Sequence, residues 1–336
     1  MPGLGEGSNI KDRKSYEHVL KKGKYFVYFF LFVSLAVFVA ISISAIYEGG
    51  IEKFVQTVES FNFSYFVAAV VLVLVGITIR FPKWHIYMKA LRVKVSIVKN
   101  YLIYLSLYSM NVTPARSGRL VASYTLNRVT GEKLGRTAPA VVADIFTDFL
   151  GYMIMMAAVT ILVGQYQPVF IILSVIALVP FIIILDNRPY LFVKGKLKKV
   201  RYLKGFFNFG DSYFESSRMF DKKVYLYSLV FTIPSEAMFA STLYLIILGF
   251  GIPMPVSALP IILFIYASSV LVGLISGIPG TIGVTELGIL GYLTLLLKIN
   301  YVVAAAITIV FSLSTLWFAE IVGFVALRHT LRYWDI

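Results

Sequence analysis

Two arginines lie directly after a proline within a mostly apolar part of the sequence. Arg116 and Arg119 follow Pro114 and are three residues apart, so they share one face of a helix. An ionisable group in the middle of a bilayer costs at least ~2.5–3.5 kcal/mol, and it therefore usually faces a cavity or a partner. The planar guanidinium fork binds phosphate bidentately. We predict that both arginines contact an anionic substrate group. The alternative is that they reach back to the membrane surface as topology markers.

Two aspartates form a second group of candidate functional residues. Asp144 and Asp148 are four residues apart on one face of the long apolar stretch 134–163. Two carboxylates one turn apart repel each other when both are ionised, which suits a proton relay. The alternative is a plain salt bridge from this pair to Arg116 or Arg119.

Three glutamates also lie within apolar stretches. Glu286 follows a second proline and glycine break and is the best functional candidate of the three, because that break corresponds to the one before Arg116. Glu236 follows Pro234, and Glu320 lies deep in the last apolar stretch. We predict that all three belong to a proton or charge relay with the aspartates. For Glu236 and Glu320, hydrogen bonding between helices is an equal alternative.

The composition places these residues in a membrane. Of the 336 residues 59% are hydrophobic and 14% are charged, far fewer charges than a water-soluble domain of this length carries. The net charge of +14 comes from basic residues that flank apolar blocks, which indicates a cytoplasmic bias of positive charge rather than nucleic-acid binding. There is no cysteine, and the three histidines form no metal-binding pair. We expect no metal and no cofactor.

The elements that position these residues are helices of membrane-spanning length. A span needs ~20 apolar residues. We predict an all-α polytopic protein with about six full spans and two re-entrant hairpins, or about eight spans if the hairpins cross fully. The second span is expected at 62–79, followed by a basic cytoplasmic segment at 80–99. The predicted divisions are a cytoplasmic N-terminal segment 1–24, one membrane domain 25–328 with hairpins 100–130 and 257–297, a basic cytoplasmic loop 186–223, and a cytoplasmic tail 329–336.

The two hairpins share a short motif. Each contains a proline followed four residues later by glycine, in TPARSG at 113–118 and in IPGTIG at 278–283. The charge pattern opens the first hairpin to the cytoplasm and the second to the outside, which is typical of inverted-repeat transporters with a site where the breaks meet. A break also frees backbone amides that attract anions. The alternative is a pair of proline kinks that only shape packing. The predicted substrate-binding residues are Arg116, Arg119, Pro114, Gly118, Pro279, Gly280 and Gly283.

The two motifs together resemble a known family. NVTPARSGR at 111–119, Asp148, and IPGTIGVTE at 278–286 are similar to the flippase-like membrane domain of lysylphosphatidylglycerol synthetases and their stand-alone relatives. The resemblance covers about 25–328. It implies lipid translocation between leaflets, with matching positions at Pro114, Arg116, Gly118, Asp148, Pro279, Gly283 and Glu286. This chain departs from the family pattern at Asp144-Ile145 and at Arg119, which leaves the charge preference for the substrate open.

The expected function is that of a flippase. We expect a multi-pass plasma-membrane protein, with both termini cytoplasmic, that moves an anionic or polyprenyl-phosphate lipid and is not an enzyme. Two alternatives stay open: an accessory scaffold subunit for lipid-linked glycosyl or aminoacyl transfer, and an intramembrane enzyme acting on a lipid phosphate. The expected partner is a membrane lipid and not nucleic acid. A homodimer and a lipid-modifying enzyme partner are both compatible with the sequence.

Overall fold

A computed structural model describes residues 32–33, 35–111, 113, 116–164, 168, 170–176, 188–197, 204–276 and 283–333. Every regular element in these ranges is helical. The helices are α1 (Leu35–Gly49), α2 (Ile51–Glu59), α3 (Phe63–Ala90), α4 (Ile97–Ser106), α5 (Val121–Thr130), α6 (Leu134–Val163), α7 (170–176), α8 (Arg188–Leu197), α9 (Lys204–Ser217), α10 (Lys222–Gly249), α11 (Leu259–Ile275), α12 (Val284–Leu295), α13 (Tyr301–Ser312) and α14 (Phe318–Tyr333). The predicted segment 1–24 and the site candidates Pro114, Pro279 and Gly280 lie outside the described residues.

Five described helices are long and apolar enough to cross a membrane. A sixth span is present if α1 and α2, which meet at 114° around Gly50, are counted as one broken segment. Gly50 has a φ of 81°, a left-handed conformation that glycine adopts without strain. The prediction of an all-α polytopic membrane protein is confirmed. The exact number of spans and the re-entrant hairpins stay predictions.

The second span differs from the prediction. The helix α3 does not end at residue 79 but continues through Pro82 to Ala90. Arg80 and Lys83, which were expected in a cytoplasmic segment, are buried at 2% and 0% exposure. The helix continues because carboxylates on neighbouring helices neutralise these two cations inside the protein. Neither residue therefore marks the cytoplasmic side.

Close helix contacts bring three long helices together around the buried charges. The helix α3 packs along α10, and α10 packs along α6. A Cβ placed on Gly76 of α3 would lie 3.2 Å from the Phe239 ring, and one on Gly151 of α6 would lie 2.8 Å from Cγ2 of Thr232. Small residues at such contacts let helix backbones approach each other. The α3, α6 and α10 bundle is the frame of the candidate site.

The first break lies between α4 and α5. The 3₁₀ turn Leu107–Met110 extends α4, and a second 3₁₀ turn, Ser117–Leu120, leads into α5. Arg116 adopts a left-handed backbone conformation with a φ of 58°. A Cβ on Gly118 would lie 2.6 Å from Cβ of Met110, closer than atoms can pack, and the Gly118 amide donates to Oγ1 of Thr113 at 2.5 Å. This compact turn sets the direction of the Arg116 side chain.

The second break separates α11 from α12, which pack against each other. The two arms are unequal, 17 and 12 residues long, whereas α4 and α5 have 10 residues each. The predicted inverted repeat of the hairpins 100–130 and 257–297 stays a prediction. The last span runs from α13 through a π-helical turn, Leu313–Trp317, into α14.

The basic loop 186–223 contains two helices, α8 and α9. They are held together by Tyr190, whose hydroxyl donates to the Phe207 carbonyl at 2.7 Å, and by Lys194, whose Nζ donates to Oδ1 of Asp211 at 2.5 Å. Hydrogen bonds from Lys194 and Tyr190 lower the pKa of Asp211. The helix α9 packs against α6 near Gly135. The loop is therefore folded onto the membrane domain.

Candidate functional site

A network of buried charges occupies the centre of the α3, α6 and α10 bundle. None of its six core members is more than 2% exposed. Charges at this depth are tolerated only when they are paired and hydrogen-bonded. The members are Arg80, Lys83, Arg119, Asp144, Asp148 and Glu236.

Asp148 on α6 is the hub of the network. Its Oδ2 accepts hydrogen bonds from Arg80 at 3.2 Å, from Arg116 at 3.3 Å and from Arg119 at 2.9 Å. Its Oδ1 accepts from Nζ of Lys83 at 2.6 Å. One carboxylate thus contacts four cations, which is the partnership expected as the alternative to a proton relay.

Asp144, one turn earlier, holds the other side of Lys83 and Arg119. Nζ of Lys83 lies 2.8 Å from its Oδ1, and Nη1 of Arg119 donates to its Oδ2 at 2.7 Å. Nε of Arg119 also donates to Oδ1 of Asn111 at 2.9 Å, and its guanidinium lies 5.6 Å from the centre of the Tyr108 ring. Arg119 is therefore fixed in place and does not extend to the membrane surface.

Glu236 on α10 closes the network on the third helix. Its Oε1 accepts from Nη2 of Arg80, and its Oε2 accepts from the Tyr266 hydroxyl at 2.9 Å. Nε of Arg80 donates to Oγ of Ser235 at 3.1 Å, and that hydroxyl donates to the Gly76 carbonyl at 2.8 Å. Glu236 thus links α10 to α3 and α11 by hydrogen bonds, and its predicted part in a relay stays a prediction.

Arg116 is more exposed and less tightly hydrogen-bonded than the other cations. Its side chain is 14% exposed, and its two hydrogen bonds, to Asp148 and to the Tyr152 hydroxyl, are both 3.3 Å long. These two hydrogen bonds are longer, and therefore weaker, than those that Arg119 donates to Asp144 and Asp148. Arg116 is thus the member of the cluster that a ligand can recruit with least disruption.

A cavity of about 600 Å³, counting its open part, lies beside the network. Residues from both breaks line it, with Arg116 and Arg119 on one side and Thr285 and Glu286 from the start of α12. Its polar lining also includes Arg80, Tyr108, Asn111, Tyr152, Glu236, Tyr266, Ser312 and Thr315, and its apolar lining consists of Phe239, Val270, Phe311, Leu316 and Ala319.

Glu286 is the carboxylate that the cation network leaves aside. It is 2% exposed, and its Oε2 accepts from the Gly283 amide at 2.7 Å while its Oε1 accepts from Oγ of Ser312 at 3.2 Å. No basic residue pairs with it among the residues that the structure describes. Because Gly283 donates to Glu286, its amide is not free to hold an anion in this conformation.

The sequence-predicted residues fall into three groups. Arg116, Arg119, Glu236 and Glu286 reach the same cavity, and Asp144 and Asp148 lie behind the arginines. Glu320 lies on α14 at 7% exposure, next to the cavity-lining Ala319. Gly118 and Gly283 shape the two breaks. Whether these residues bind substrate or carry protons stays a prediction.

Sequence reasoning missed Arg80 and Lys83. Five carboxylates were assigned to apolar stretches against two arginines, an imbalance that called for further buried cations. Arg80 and Lys83 are three residues apart at the end of an apolar run, so they share a helix face. They were not recognised as members of a buried network because basic residues at a span end usually mark its cytoplasmic side.

The charges and helices define a polytopic α-helical membrane protein with a charged cavity between its spans. No group of three metal-ligating side chains occurs in the described part of the chain. The chain belongs to the family described as the lysylphosphatidylglycerol synthase TM region, whose sequence profile matches residues 31–323. A comparison with curated proteins finds no match. The family resemblance seen in the sequence is confirmed, and it indicates a lipid-related function in a membrane.

Proposed function

We propose that this protein moves an anionic lipid, such as one with a phosphodiester or polyprenyl-phosphate headgroup, between the leaflets of the plasma membrane. The observation that carries the proposal is Arg116, a partly exposed guanidinium at the edge of a cavity lined by both helix breaks. The headgroup would occupy the cavity while the acyl chains stay in lipid.

The charge of the network favours an anion. Four cations, Arg80, Lys83, Arg116 and Arg119, face the three carboxylates Asp144, Asp148 and Glu236, an excess of one positive charge. Coulomb attraction is stronger in a cavity of low effective dielectric than in water. A singly charged phosphodiester would neutralise the excess.

The placement of Arg116 also supports binding without unfolding. Its two existing hydrogen bonds are long, and Asp148 keeps three other cations when Arg116 turns toward a ligand. The remaining network then stays paired. Arg119 would act differently, because it anchors both aspartates and Asn111.

Reconstituted vesicles test the proposal. The protein is inserted into liposomes that contain phosphatidylglycerol with a fluorescent acyl chain, and dithionite bleaches the outer leaflet to report exchange. Arg116→Ala should slow exchange by about tenfold or more, since hydrogen bonds to charged groups contribute ~1.5–3 kcal/mol. Arg116→Lys should also be slow, because it keeps the charge but loses the fork.

The matched control is Arg136. Its Nη1 lies 2.6 Å from Oε2 of Glu132, and neither residue lines the cavity. Arg136→Ala and Arg136→Lys should exchange lipid like the parent. The proposal is wrong if both Arg116 variants fold and exchange lipid at the parental rate. Parent protein that exchanges no lipid would favour the scaffold alternative, and a new lipid product in the vesicles would favour an enzyme.

A further inference from the structure

We infer that Glu286 binds a proton together with the anionic headgroup, so that the cavity accepts the two as a neutral pair. The inference deepens the proposed function and rests on it. It selects one carboxylate among the five that the sequence assigned to a relay, and it names a coupling ion.

The buried carboxylates differ in their partners. Asp144, Asp148 and Glu236 each contact at least one cation, so an added proton would have to displace a salt bridge. Glu286 is equally buried and has no basic partner among the described residues. Burying an ionised carboxylate without a counter-charge is costly, and the neutral acid removes that cost.

The hydrogen bonds of Glu286 suit both its ionised and its protonated form. As a carboxylate, it accepts from the Gly283 amide at Oε2 and from the Ser312 hydroxyl at Oε1. A proton on Oε1 would let Glu286 donate to Oγ of Ser312 instead, because a hydroxyl both donates and accepts. Oε2 would still accept from Gly283. The proton therefore binds with no loss of a hydrogen bond.

The charge balance of the cavity depends on the protonation of Glu286. The cation network carries an excess of one positive charge, which an ionised Glu286 cancels and a protonated Glu286 does not. Protonation thus strengthens the attraction for an anionic headgroup. By linkage, the headgroup must favour protonation by the same factor. A lipid with one negative charge would then cross with one proton, and the pair carries no net charge.

Other charged and titratable residues face the same cavity as Glu286. The helix α13 and the π-helical turn contribute hydroxyls from Ser312 and Thr315 but no charged side chain to the cavity. The charged or titratable residues that face the cavity from the other elements are Arg80, Tyr108, Arg116, Arg119, Tyr152, Glu236 and Tyr266, and Glu320 follows the lining residue Ala319. Arg80, Arg116 and Arg119 each contact at least one carboxylate. The tyrosines are neutral near neutral pH.

The first experiment measures binding. Short-chain phosphatidylglycerol is titrated into the purified protein in detergent between pH 5 and 9, where its phosphodiester keeps one negative charge. The parent should bind more weakly as the pH rises, by up to about tenfold per pH unit, the limit for one linked proton. Glu286→Gln should bind at every pH as the parent binds in acid. Glu132→Gln, a matched change outside the cavity, should keep the parental profile.

The second experiment follows the proton. Liposomes loaded with the pH indicator pyranine receive phosphatidylglycerol in the outer leaflet, and the internal pH is recorded as lipid moves inward. The parent should acidify the interior, whereas any lipid that Glu286→Gln moves should enter without a change in internal pH. Ser312→Ala should weaken the coupling, because it removes the hydroxyl that serves both forms.

These outcomes separate the inference from the function that it rests on. If the parent moves no lipid, the proposed function fails and the inference fails with it. If the parent moves lipid but Glu286→Gln keeps the parental pH profile and proton entry, only the inference is overturned. A parent whose lipid binding does not change between pH 5 and 9 also overturns it.

Discussion

The charged side chains beside this cavity differ in how firmly the protein holds them. Lys83 is fully buried, and its Nζ lies within 2.8 Å of Asp144 and 2.6 Å of Asp148. Arg119 holds the same two carboxylates, while Arg116 holds only Asp148, and loosely. The network thus divides into cations that keep the bundle together and one that is available to a ligand.

Replacement of Lys83 by methionine should destabilise the protein. Removing one partner of a buried ion pair costs ~3–5 kcal/mol, because it leaves uncompensated charge in the interior. Thermal unfolding in detergent should therefore begin at a clearly lower temperature for Lys83→Met than for the parent. The matched control is Lys89→Met, since Lys89 lies on the same helix and is exposed. Equal unfolding temperatures for the two variants would show that the network does not stabilise the bundle.

The position of a site residue in the chain decides whether the sequence alone reveals it. Arg116, Asp148 and Glu286 were found from the sequence because each lies next to a break or inside an apolar stretch. Arg80 was missed because position alone does not distinguish a buried arginine at a span end from one at the membrane surface. Its identity as a network member depends on Asp148 and Glu236, which come from helices remote in the chain.

At the scale of the elements, the sequence predicts long apolar helices well and their charged ends poorly. The predicted helix 134–163 has the bounds of α6, Leu134–Val163, where Gly164 ends it in a left-handed conformation. The helix α3 extends 11 residues beyond the predicted end at residue 79 because tertiary ion pairs override the charge pattern. Loop 186–223 contains two helices, and the packing of α9 on α6 was not predictable from composition.

The side of the membrane on which each loop lies remains a prediction, and it rests on the charge pattern of the sequence. Basic residues dominate 186–223, and acidic residues dominate the α1–α2 junction and α2. The chain has no cysteine, so single thiols can be introduced at exposed positions by Glu52→Cys and Glu215→Cys. An impermeant maleimide added to intact cells should label the first and not the second. Labelling of both, or of Glu215→Cys alone, would refute the predicted orientation.

At the scale of the whole molecule, the two breaks and the central bundle form one cavity. The breaks are more than 160 residues apart in the sequence, yet Arg116 and Glu286 line the same space. Arg116 and Arg119, from the turn before α5, give the charges on α3, α6 and α10 their positive excess. The helices α12 to α14 and the π-helical turn supply the wall that carries Glu286, Ser312 and Thr315. A headgroup in this space would contact both halves of the chain, which is the property that the proposed lipid movement requires.

Blocking the cavity tests this account most directly. Thr315 lines the cavity at 6% exposure, and Thr315→Cys introduces the chain's single thiol with little change in size. Alkylation with N-ethylmaleimide, verified by mass spectrometry, should slow lipid exchange in liposomes by tenfold or more, about the effect expected for loss of headgroup binding. Phosphatidylglycerol should protect the thiol, and alkylated Glu215→Cys should exchange lipid normally. Fully alkylated Thr315→Cys that exchanges lipid at the unmodified rate would contradict passage of the headgroup through this cavity.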